Sequence, residues 1–351
     1  MSSRAAILAA LGAALLFGAS TPFAKLLAGA LSPTLLAGLL YLGSGVGLWV
    51  LRLIRDRGFA SPHLAAREWP WLLGAIVSGG VIGPVLLMWG LTQTSAATAS
   101  LLLNLEAVFT AVLAWVVFRE NADRRIVSGM MLIVAGGAVL AWRAAAGSLH
   151  GSGTALGALA VCGACMCWAL DNNLTRKVST SDAVFIAGTK GLVAGISNVA
   201  SGLLLGAALP GSVLLGKTML VGFAGYGVSL VLFVMALRGL GASRTGAYFS
   251  TAPFIGAAVA IVAFGEPTSW IFWLAAGLMA WGVWLHLTER HEHEHTHARL
   301  VHIHSHRHDQ HHQHTHAFAW DGKEPHTHEH EHEPITHSHA HYPDVHHRHD
   351  H

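Results

Sequence analysis

Glu106 is the residue whose setting most demands a chemical reason. It lies in the middle of the apolar run 96–118, two positions after Asn104. Asp171, followed by Asn172 and Asn173, forms a second polar knot near the end of the run 153–175, and Lys190 sits about halfway along 181–206. Where such runs cross a bilayer, an Asp or Lys at the centre costs roughly 2.5–3.5 kcal/mol. Groups of this kind usually face a cavity or one another, and they mark a pathway by default. Glu106 is the candidate carrier of a coupling proton, with Lys190 as the counter-charge of either Glu106 or Asp171. Asn104 and Asn172 are candidate polar lining. The alternative is a buried ion pair that only holds helices together, with Asp171 solvated at an interface.

Two further clusters could bind metal. Cys162, Cys165 and Cys167 lie within "CGACMCWALDNN", with Cys167 and Asp171 four residues apart on one helical face. Thiolates and a carboxylate suit a soft or borderline ion in transit. Cysteine is also a small apolar residue suited to close helix packing, and that reading is preferred. The second cluster is far richer. Of 26 histidines only His63, His150 and His286 precede position 291. The remainder alternate with Glu, Thr, Ser and Asp, as at His291, His293, His295, His297, His302, His304, His306, His308, His326, His328, His330 and His332. Free imidazole titrates near pH 6.5, so most of these rings are neutral ligands at neutral pH. They suit Zn, Ni, Co or Cu. With almost no apolar content to bury, residues 289–351 are expected to be a disordered, high-capacity metal-binding tail.

The elements that must carry the intramembrane residues are long apolar helices. The chain has 351 residues, 53% hydrophobic and only 11% charged, against about 25% charged in an ordinary soluble domain. Residues 1–288 hold 16 Lys/Arg and 8 Asp/Glu, while 289–351 hold 5 and 11. Two solvents shaped these two regions. About 20 apolar residues span the hydrocarbon core, and ten such runs are present: roughly 5–27, 33–54, 70–92, 96–118, 125–142, 153–175, 181–206, 218–238, 243–264 and 269–287. With the N-terminus in the cytoplasm, inside loops carry twelve Lys/Arg and outside loops three, namely Lys25, Arg143 and Lys217. This positive-inside bias also puts the C-terminus in the cytoplasm. The first run continues into a full-length span, so it reads as a retained helix and not a cleaved signal. The three clustered cysteines imply no disulfide framework.

The fourth and ninth runs repeat one another. "AATASLLLNLEAVFTAVLAWVVFRE" overlies "ASRTGAYFSTAPFIGAAVAIVAFGE" without a gap, matching Ala96/Ala242, Ala111/Ala257, Ala114/Ala260, Val116/Val262, Phe118/Phe264 and Glu120/Glu266. "FGASTPFAK" likewise overlies "WALDNNLTR". The halves are then 1–147 and 148–288, each of five spans. An odd number makes the duplicated half enter the membrane in the opposite sense, as in many secondary transporters.

On these features the chain resembles the EamA-type drug/metabolite transporter superfamily over about residues 5–287. The carriers are the five-plus-five layout, "FGASTPFAK", the paired blocks ending in Glu120 and Glu266, and Pro253; Ala107 stands at the corresponding place in the first block. The resemblance implies an all-α membrane protein of about ten helices in an inverted repeat. It also implies gradient-driven movement of small metabolites, often export, with no hydrolysed nucleotide. No Walker-type phosphate loop is present, and no nucleophile–base pair points to an enzyme.

Three functions are weighed. The first is a metabolite exporter whose tail senses or buffers metal. The second takes a divalent ion, Ni, Co or Zn, as cargo, although the spans hold no paired His or Asp ligands. The third is a membrane-anchored metal store, which the intramembrane charges argue against. The expected partners are the lipid bilayer, a small-molecule substrate, divalent metal ions and a second copy in a homodimer, with no nucleic acid. No cofactor is required, and the expected location is a bacterial inner membrane.

Overall fold

The computed structural model describes residues 3–58, 64–118, 124–146, 153–178 and 181–288, and in the tail 292–297, 300–306, 326–332 and 335–340. His63, Glu120, His150, His291 and His308 lie outside the described residues. The chain separates into two units, Met1–Glu289 and Arg290–His351.

The first unit is helical throughout its described spans. Eight helices are long and apolar enough to cross a membrane: Arg4–Ala28, Pro33–Asp56, Ala66–Gln93, Ala96–Leu113, Arg124–Trp142, Ala155–Thr175, Ala183–Leu204 and Ser212–Ala236. Two shorter apolar helices follow, Ala252–Phe264 and Trp270–Leu285. Helix starts are set by local chemistry. Ser32, Ser95, Asp182 and Ser269 each lend a side-chain oxygen to a backbone N–H of the first turn, satisfying donors that have no partner inside the helix. Large apolar side chains such as Leu8, Ile54, Trp142, Leu204 and Trp270 face outward. Water would not tolerate such a surface, but lipid requires it.

The ninth run differs from its expected form. The chain is helical from Ser229 to Phe249, breaks at Ser250 and Thr251, and resumes over Ala252–Phe264. In a straight helix Phe233 and Phe249 would stand roughly 24 Å apart. Their ring centroids are 4.8 Å apart, so the chain folds back between them and the eighth and ninth runs lie side by side.

The repeat is visible in the element boundaries. Ala66 and Ser212, Ile82 and Val228, and Arg124 and Trp270 open or close matching elements, and each pair is 146 positions apart. The two π-helical segments, Ile76–Ile82 and Phe223–Val228, coincide in that register. The two interruptions, Leu103–Asn104 and Ser250–Thr251, fall within one position of it. Earlier in each half the separation is 150, as between the caps Ser32 and Asp182. The connection after the seventh span, 205–211 against 57–65, is two residues shorter, and the seventh helix is itself two residues shorter than the second, which together absorb the difference.

Packing obeys the same symmetry. Without water to drive association, membrane helices approach through small residues. A Cβ at Gly45 would meet Gly191 and Leu192, and one at Gly195 would meet Leu42, so the second and seventh spans pack through reciprocal notches. Gly136 likewise sits against Ala275 and Met279, and Gly282 against Gly129 and Ile133. The all-α fold with a five-plus-five inverted repeat therefore stands as expected.

The described tail segments are short. They form strands β1 (Glu292–His297), β2 (Leu300–His306), β3 (His326–His332) and β4 (Ile335–Ala340), with β1 antiparallel to β4 and β2 to β3. A His-x-His alternation has the period-two repeat of a strand, and cross-strand hydrogen bonds satisfy backbone groups that an isolated tail would leave to water.

Candidate functional site

The site is built around the π-helical segment of the third span. Widening a helix there redirects backbone carbonyls, and such bulges occur often at functional sites. The Gly79 carbonyl accepts from Tyr41 Oη at 3.0 Å and from Trp168 Nε1 at 2.9 Å. Asn198 Nδ2 donates to Gly80 O at 3.3 Å and Val81 O at 3.2 Å. Three neighbouring spans thus pin one stretch of backbone in the middle of the membrane unit. Gly79 itself is required by proximity, since a Cβ there would collide with the Asp171 carboxylate.

Asp171 accepts from Lys190 Nζ at 2.6 and 2.7 Å and from Thr175 Oγ1 at 2.9 Å. The aspartate is buried and the lysine nearly so. Of the two counter-charge assignments open to Lys190, this geometry selects Asp171. Glu106 is held differently. Its carboxylate accepts from Asn172 Nδ2 at 2.8 Å, and among the described residues no cation stands within ion-pair distance of it. Glu106 is partly accessible and Asn172 is exposed, whereas Asn104, Asp171 and Asn173 are buried.

Asn104 and the cysteines are less available. Asn104 Nδ2 donates to Leu101 O at 2.9 Å, so the amide closes the interruption in its own span. Asn173 turns back similarly, onto Ala169 O at 2.8 Å. Cys165 is buried with its thiol 3.6 Å from Leu102 O, and Cys162 and Cys167 are partly buried; all three are free. Among the described residues no group of three or more His, Cys, Asp or Glu converges as a metal cage.

Sequence reading missed Tyr41, Trp168, Asn198 and Gly79. Asn198, a polar residue inside a span, carried a legible signal. The others carried none, because aromatic residues and glycines are common in membrane helices.

The repeat exposes an asymmetry. Asp171 corresponds to Ser20 at the separation of 151 set by the "FGASTPFAK" overlay, Lys190 to Leu40 at 150 and Glu106 to Ala252 at 146, while Gly79 corresponds to Gly225, also at 146. A Cβ at Gly225 would meet Ser20 just as one at Gly79 would meet Asp171. The scaffold is duplicated, but the charges occupy one of its two equivalent crossings.

Residues 4–142 and 155–288 each match the EamA-like transporter family. The chain is 28% identical over 286 residues to an uncharacterized transporter from Methanothermobacter thermautotrophicus, covering 78% of this chain and 83% of that protein. A solved crystal structure of another protein superposes with a TM-score of 0.61 at 19% identity, over 80% of this chain and 94% of that one. At that identity the likeness speaks to fold alone.

Proposed function

The chain belongs to the EamA-like transporter family, and we propose that it exports a small metabolite by alternating access, using Glu106 as the group that exchanges a coupling proton. The carrying observation is the contrast between two carboxylates in one polar site. Asp171 is neutralised by Lys190, whereas Glu106 has a neutral amide as its partner and remains partly accessible. A carboxylate held only by a neutral partner is free to trade a proton or to meet a substrate amine, and the buried Asp171–Lys190 pair holds the sixth and seventh spans as scaffold. The duplicated framework supplies two related conformations, which is what alternating access needs.

Proteoliposomes loaded with labelled amino acids and amines test this reading. Efflux should respond to a pH gradient in the intact protein and lose that response in Glu106→Gln. Wild-type efflux indifferent to pH would overturn the role of Glu106.

Metal as cargo is the second reading, and the tail favours keeping it. The strand register sets His293 opposite His339, His295 opposite His337, His302 opposite His330 and His304 opposite His328. We assign the tail a buffering or sensing role for Zn, Ni, Co or Cu, on the cytoplasmic side of a bacterial inner membrane. Vesicles loaded with zinc, nickel or cobalt separate the readings. Metal efflux that survives truncation after Thr288 would make the ion the cargo; binding lost on truncation without any efflux supports the buffer.

A further inference from the structure

The motif endings Phe-Ala-Lys (23–25) and Phe-Gly-Glu (264–266) have no part in the polar site, yet the fold brings them together. The third span ends at Gln93 and the fourth begins at Ala96, leaving a corner of two residues, Thr94 and Ser95. Lys25 donates to the carbonyls of Leu91 and, at 2.9 Å, Thr94. Glu266 accepts from the N–H groups of Ala96 at 2.9 Å and Ala97 at 2.8 Å. One corner is thus capped on both sides, carbonyls by a cation and N–H groups by an anion. The charges suit the negative C-terminal and positive N-terminal helix ends they meet. Beside them the rings of Phe23 and Phe264 meet edge to face at 5.4 Å.

Glu266 belongs to the second repeat and caps a helix of the first. It can do so because Gly265 adopts a left-handed conformation, φ 66°, ending its helix and turning the chain back. Bonds of this kind, made between repeats, are the ones that must change when one half rocks against the other. The Lys25 bonds lie within the first repeat and position the corner that Glu266 caps. Exposure points the same way. Thr21, in the turn before Lys25, is 2% exposed, whereas its repeat counterpart Asn172 is exposed. The two equivalent places are in different states, closed near Lys25 and accessible near Asn172.

We propose that Lys25 and Glu266 form a latch on the Thr94–Ser95 corner, which keeps the mouth at the end of the first span shut while the mouth beside Asn172 is open. The latch rests on the alternating-access reading, but not on Glu106 or on any substrate. Opening the mouth near Lys25 breaks the Glu266 cap and leaves that carboxylate and the freed backbone N–H groups to interfacial water.

The test reads conformation instead of transport. In detergent-solubilised full-length protein with Cys162, Cys165 and Cys167 replaced by Ala, a single reporter is introduced, either Thr21→Cys or Asn172→Cys. Its rate of labelling by a polar maleimide is then measured with Lys25→Met or Glu266→Ala. Loss of hydrogen bonds to a charged group should shift the balance about tenfold. Labelling at position 21 should rise by that factor while labelling at position 172 falls. Unchanged rates overturn the latch. A rise at both positions also overturns it, because that is the signature of a merely structural cap whose loss loosens the whole fold.

Discussion

Replacing Lys190 with Met leaves Asp171 as a buried carboxylate without its cation. The ammonium stands 2.6 and 2.7 Å from the two carboxylate oxygens, and the side chains are 18% and 8% exposed. At an effective dielectric near 20, unit charges about 4 Å apart attract by about 4 kcal/mol. Removing one member of a buried pair typically costs about 3–5 kcal/mol, because the other charge is stranded. Thr175 still donates to the carboxylate, which puts the expected loss at the low end, near 3 kcal/mol. Asp171→Asn should strand the lysine at a similar cost. The double variant Asp171→Asn/Lys190→Met removes both charges and should return to within about 1 kcal/mol of the parent, since buried pairs exchanged for neutral groups are often close to neutral. Tryptophan-fluorescence melting in detergent reads this directly, with drops of roughly 6–12 °C for the single variants and far less for the pair. If the double variant falls by the sum of the singles, the two charges do not act as a pair and the scaffold role assigned to them is wrong.

Other consequences can be checked on the same material. Gly79→Ala drives a Cβ into the Asp171 carboxylate and should cost about 1–3 kcal/mol of stability, whereas Gly216→Ala, with open space around it, should melt like the parent. Glu106→Gln should leave the melting temperature nearly unchanged while abolishing the pH response of efflux; a large loss of stability would mean that its carboxylate is structural. At Asp182, the cap of the seventh span, burial raises the carboxyl, but the Arg55 hydrogen bond and the N–H groups of Phe185 and Val184 outweigh it and hold it below the usual range. The contribution of its charge is therefore present at neutral pH and lost as pH falls through that depressed value. Asp182→Asn should be less stable than the parent at pH 7, and the two denaturation curves should converge in strong acid; a constant gap would refute the assignment.

Much of the fold is legible without coordinates, because hydropathy is local. The apolar runs mark the spans, and the gapless match of 96–120 on 242–266 marks the repeat. The fold-back between Phe233 and Phe249 falls where the runs 218–238 and 243–264 separate, whereas the interruption at Ser250 and Thr251 could not be read, since the run stays apolar through it. The strand pairing in the tail was also missed, because composition alone argued for a solvated chain and says nothing about register.

The candidate site divides in the same way. A charge within an apolar run declares itself, so Glu106, Asp171 and Lys190 could be named from sequence. Which carboxylate Lys190 neutralises could not, because both lie within reach of a flexible side chain until the spans are packed. Asn104 reads as pathway lining in sequence and closes its own helix in the structure. The carbonyls pinned by Tyr41, Trp168 and Asn198, and the corner held by Lys25 and Glu266, join residues from 38 to 170 positions apart. The sequence by itself determined that this is a membrane-spanning, internally repeated helical protein with a histidine-rich tail, since the transfer of apolar side chains from water depends on each segment alone. Only the tertiary structure decided which polar groups meet, because a hydrogen bond depends on ångström distances that close packing of distant segments creates.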